Sequence, residues 1–71
     1  MNPKVALRSY LDNHDIRPAA FARAISYDKG NFHRLLHAED AFWPSLELAL
    51  RIERETSGAV PMSLWAEAKA A

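Results

Sequence analysis

Apolar residues recur at helical spacing through five stretches of this chain, and no stretch makes a convincing strand. Leu7 and Leu11 give the inner face of a helix over about 3–14, with Pro3 near its start. Ile16 is placed to plug the core behind it. Phe21, Ala22 and Ile25 form the apolar side of a second helix, about 18–25, which Pro18 opens. Ala22 faces inward, and so small a side chain lets another helix cross closely. Ser26 and Tyr27 interrupt the pattern, and Phe32, Leu35 and Leu36 resume it over 29–37. A loop over 38–43 carries Glu39, Asp40, Phe42 and Trp43. The fourth helix runs about 45–56 and ends before Gly58, the expected left-handed cap. Pro61 opens a last helix through Met62, Leu64 and Trp65 that fades into 66–71. The expected fold is a small all-α domain of four to five helices.

Residues 18–37 concentrate the chemistry. Two short helices joined by a tight turn are the layout of a helix-turn-helix DNA reader, whose second helix enters the major groove. Asp28 is a good N-cap for that second helix, because its carboxylate can accept from the free N–H groups beyond it. The side opposite Phe32, Leu35 and Leu36 offers Lys29, Gly30, Asn31, His33, Arg34 and His37, with no carboxylate after Asp28. Those side chains are donors suited to phosphates and base edges. Lys29, Asn31 and Arg34 are expected to point outward. Arg34 is the candidate for a bidentate guanine contact, and Asn31 for adenine or a phosphate. Gly30 implies either a close approach of the backbone to DNA or a base contact given up. Arg17 and Arg23 flank the first helix of the pair, where phosphate contacts are expected. A solvated charged face is the plainer reading of each residue alone; the combination favours DNA.

These residues resemble the Cro and phage-repressor class of helix-turn-helix proteins, the lambda-repressor-like fold. Ala22 and Ile25 stand where that family has alanine and a hydrophobic residue, and Ser26 replaces the family's turn glycine. Tyr27, Asp28 and Phe32 then fill the positions of turn hydrophobe, cap and buried residue of the reading helix. Downstream, Trp43-Pro44-Ser45, Leu48-Ala49 and Ile52-Glu53 look like the fourth helix of small Cro-like regulators. Thr56-Ser57-Gly58-Ala59-Val60 resembles a Thr-Gly-Gly-x-Val ending. The likeness covers roughly residues 5–65. It implies that Lys29 and Gly30 sit where bases are often read, and that Ser45 lies where relatives contact the backbone, although Ser45 also suits the N-cap of the fourth helix. Some Cro-like proteins end in a strand pair, but helix formers dominate 46–54 and 64–69 here.

The net charge is zero, which argues against DNA, yet the charge is polarised. Residues 1–34 carry six cations against three anions, and residues 35–71 three against six. That layout suits one face on DNA and the other toward solvent or a partner, with few phosphate contacts and a shallow salt slope. Glu39 and Asp40 are unfavourable near DNA. Seventy-one residues allow one domain with a small core, burying only about 60% of the unfolded surface. Without cysteine there is no disulfide or thiolate metal site, which makes a homodimer an attractive source of further burial. The wide apolar arc of the fourth helix, with Trp43 and Trp65 near it, suits either a well-wrapped core or such a dimer through 44–71. No apolar run is long enough for a membrane span, and Met1 to Lys4 lack a signal peptide's apolar core, so a cytoplasmic location is expected.

His33 and His37 have the spacing to share a metal, but no third ligand is evident. No phosphate loop, nucleophile elbow or carboxylate pair suggests an enzyme or a cofactor. The expectation is a DNA-binding transcriptional regulator; the resemblance implies a repressor from a phage or bacterial source, dimeric on a palindromic operator. The rival is a protein-interaction module on the same fold, antitoxin-like or an RNA polymerase-associated adaptor, holding its partner through Phe42, Trp43 and the fourth helix.

Overall fold

A computed structural model describes residues 2–37 and 43–70. Five helices and no strand occur among them: α1 (Pro3–Asn13), α2 (Pro18–Ala24), α3 (Lys29–His37), α4 (Leu46–Glu55) and α5 (Met62–Ala70). The chain is all-α. The loop expected over 38–43 lies outside the described residues apart from Trp43.

Polar caps define most helix starts. Asn2 Oδ1 accepts from the Lys4 N–H at 2.9 Å to begin α1. Asp28 Oδ2 accepts from the Asn31 N–H at 2.9 Å to begin α3, and Ser45 Oγ accepts from the Leu48 N–H at 3.2 Å to begin α4. At α5 the cap comes from another helix: Glu53 Oε1 accepts from the Met62 N–H at 2.8 Å. Each satisfies a donor that helix geometry leaves without an internal partner.

The first, second and fourth helices stop in the same way. Asp15, Ser26 and Ser57 adopt left-handed φ of 54°, 56° and 53°. Each N–H returns to a carbonyl three residues back, and the next residue's N–H reaches five back: Ile16 to Leu11, Tyr27 to Ala22 and Gly58 to Glu53, all at 2.8 Å. These paired bonds make a Schellman motif. The glycine expected to cap α4 is therefore second in its turn, at φ 86°, and Ser57 takes the first left-handed position. None of the three leading positions holds glycine, so each turn carries a conformational cost that its two hydrogen bonds offset.

The core gathers Leu7 and Leu11 of α1, Phe21 and Ala22 of α2, Phe32, Leu35 and Leu36 of α3, and Leu48, Ala49 and Ile52 of α4, with Val60 and Trp65. Burying each of the leucine, isoleucine, valine and phenylalanine side chains among them contributes roughly 1.5–3 kcal/mol. Phe21 and Phe32 stack with ring centroids 5.4 Å apart and bind α2 to α3. α1 is the link between halves, packing on α3 on one side and α5 on the other. Two placements follow from packing rather than from residue type. Leu46 is 72% exposed, because the buried stripe of α4 follows Leu48, Ala49 and Ile52. Lys4 is buried, its stem in the core and its ammonium 5.1 Å from the Trp43 ring centroid.

Candidate nucleic-acid interface

α2 and α3 form a helix-turn-helix pair whose turn is the second Schellman motif, closed by Ser26 and Tyr27. Ala22, fully buried, faces the crossing, and Tyr27 packs against the core. Because Phe32, Leu35 and Leu36 fix the buried side of α3, helical rotation turns the opposite side to solvent. Lys29, Gly30, His33, Arg34 and His37 are all exposed there.

Asn31 departs from expectation. It is half-buried, because its rotation around α3 places it between exposed Arg34 and buried Leu35, on the flank of the face. Asp28 stands at the start of α3, with one carboxylate oxygen engaged as the cap. A Cβ on Gly30 would lie 3.1 Å from that same oxygen. Nothing else crowds the position, so an alanine there needs only a small adjustment of the Asp28 side chain.

The flanking residues fall into separate groups. Arg23 and Lys29 line one hollow with Ser26 and Tyr27 across the mouth of the turn. Arg17 occupies the N-cap position of α2 without a side-chain cap bond, and it lines a different groove with Arg8 and His37. Ser45 is the N-cap of α4 and borders a hollow with Trp43 and Leu46.

Two arginines that local sequence did not single out hold the pair in place. Arg8 of α1 donates to the Leu36 carbonyl near the end of α3. Arg51 of α4 donates from Nη1 to the Ile25 carbonyl at 3.3 Å, and from Nη2 to Glu47 at 2.6 Å. Both bring positive charge to a helix C-terminus, where it is favourable. His33 and His37 lie with ring centroids 4.5 Å apart on the last turns of α3. His37 is held below the ordinary histidine range, first by partial desolvation and then by repulsion from His33 and Arg8.

Among the described residues no group of three histidine, aspartate or glutamate side chains gathers to hold a metal. No helix among them is long and apolar enough to cross a membrane. No family model matches the chain, and no curated protein or solved structure matches it either.

Proposed function

We propose that this protein is a sequence-specific, non-enzymatic DNA-binding transcriptional regulator of the Cro and phage-repressor type. One observation carries the reading: α3 is pinned across a tight turn by α2 and turns to solvent a side bearing Lys29, His33 and Arg34 without any carboxylate. α3 enters the major groove, Arg34 reads a base edge, and Lys29 with Arg23 meets backbone phosphate. Asn31, on the flank, contacts phosphate rather than a base at the centre of the face. The chain works in the cytoplasm of a bacterial or phage-infected cell, as a two-fold dimer on a palindromic site.

Selection of binding sites from random duplex DNA with the purified protein tests this directly. An inverted repeat with half-sites about 10 base pairs apart supports the dimeric reader. A single enriched half-site retains DNA binding and removes the symmetric dimer. No enrichment at low salt turns the assignment to the second reading, an interaction module. That reading draws on a hollow of about 210 Å³ between α4 and α5, lined by Trp43, Pro44, Met62 and Trp65 beside exposed Leu46.

A further inference from the structure

The groove between the end of α1, the start of α2 and the end of α3 holds a balance of charge that one proton decides. It is open, about 470 Å³, with an apolar floor of Leu11, Ile16 and Leu36. Around the rim stand Arg8 and Asp12 of α1, Asp15 of the turn, Arg17 at the start of α2, and His37 of α3. Among the described residues neither arginine forms an ion pair with either aspartate. The two arginines cancel the two aspartates in net charge, so the sign of the groove is set by His37. His33 and Arg34 are its charged or titratable neighbours on α3 itself; Glu39 and Asp40 follow in sequence, outside the described residues.

We propose that this groove is a proton-gated phosphate site, in which His37 takes up a proton as Arg8, Arg17 and the imidazolium close on a phosphate group. With His37 neutral, the groove offers a phosphate no net attraction. With His37 protonated, it offers three cationic donors against two carboxylates, and the bound anion relieves the repulsion among His33, Arg8 and His37. The Arg8 guanidinium, tethered to the Leu36 carbonyl, holds its charge beside the imidazole. A DNA backbone phosphate and free inorganic phosphate share this chemistry. Assignment to DNA rests on the function proposed above, since His37 lies on the exposed side of the reading helix.

The test compares dissociation constants for the selected duplex at about pH 8 and about pH 5.5, a range spanning the ordinary histidine value. Wild-type protein and the His37→Gln and Asp12→Asn variants are measured, with His37 titrated by NMR alone, with duplex and with inorganic phosphate. Wild type is expected to bind roughly tenfold more tightly at the lower pH, the equivalent of one unit of upward shift on binding. His37→Gln removes the difference. Asp12→Asn, which makes the groove positive without the proton, tightens binding at the higher pH. Wild-type binding that is independent of pH, or full pH dependence persisting in His37→Gln, overturns the gate and leaves the DNA-binding assignment intact. Failure to bind any duplex at either pH overturns that assignment instead. The groove is then judged by inorganic phosphate, and an unmoved His37 titration overturns the site as well.

Discussion

The hydroxyl of Thr56 accepts the backbone N–H of Val60 at 3.1 Å while donating to the carbonyl of Ile52 at 2.8 Å. Thr56 is almost fully buried, so this one oxygen ties the end of α4 to the segment leading into α5. Replacing it with valine keeps the shape and leaves the Val60 N–H buried without a partner. Thr56→Val is expected to lose about 1–3 kcal/mol of stability, the usual cost of such an orphaned group. Thr56→Ser retains the hydroxyl and recovers most of that loss. Urea unfolding followed by tryptophan emission measures both, since Trp65 packs in the same region and meets Trp43 edge to face at 6.3 Å.

Ser26 holds φ 56° in the turn between α2 and α3. A left-handed residue with a Cβ is strained where glycine is not, although glycine also frees the unfolded chain. Ser26→Gly is expected to gain about 0.5–1 kcal/mol, while Ser26→Val, β-branched at positive φ, loses more than that. Thermal melts of the two variants would reverse this order if the turn had another conformation in solution.

Capping and the proposed recognition fall to different residues at the start of α3. Asp28→Ala removes the acceptor for the Asn31 N–H and is expected to cost about 1 kcal/mol of stability. Lys29→Ala leaves stability within roughly 0.5 kcal/mol, as exposed positions generally do. On the proposed operator it lowers the salt slope by about one and weakens binding to all sequences alike. Arg34→Ala instead costs about 1–3 kcal/mol of binding and relaxes preference at one base position. Melting curves and salt-dependent binding isotherms on the three variants distinguish the roles.

Folding stability has a pH dependence of its own. His37 has a lower proton affinity in the folded chain than in the unfolded one, so protonation favours unfolding. Stability is therefore undiminished above the ordinary histidine value of about 6.5, falls as the pH drops through it toward the lowered folded value, and levels off beneath that. The side chain is largely exposed and the effect small. Urea midpoints between about pH 7.5 and about pH 5.5 are expected to decline in wild type and less in His37→Gln. The direction is opposite to that expected for DNA affinity under the proposed gate.

Local pattern made much of this fold legible. Phe21, Ala22 and Ile25, then Phe32, Leu35 and Leu36, set the buried sides of α2 and α3 by spacing alone, and all six are buried. Asp28 and Ser45 were readable as caps because a cap acts within three residues. What escaped the sequence acts at a distance or against preference. Arg8 meets Leu36 across 28 positions and Arg51 meets Ile25 across 26, with no local mark on either arginine. Asp15, Ser26 and Ser57 take conformations that glycine prefers, so Gly58 looked like the leading cap. Lys4 is buried and meets Trp43, a residue distant from it in the chain. For the candidate interface, composition marked the exposed side of α3, while the half-burial of Asn31 and the groove joining Arg8, Arg17 and His37 needed the packed helices.

The tethers from Arg8 and Arg51 end on main-chain oxygens, and a main-chain oxygen survives every substitution of the residue that bears it. Exchanging Lys29, Gly30, His33 or Arg34 therefore leaves untouched the anchors that orient α3. Such a scaffold lets the outward residues drift among alternatives while the presentation angle stays constant. Descendants of this chain can thus change the chemistry of one exposed helix face without first having to evolve a new way of holding it.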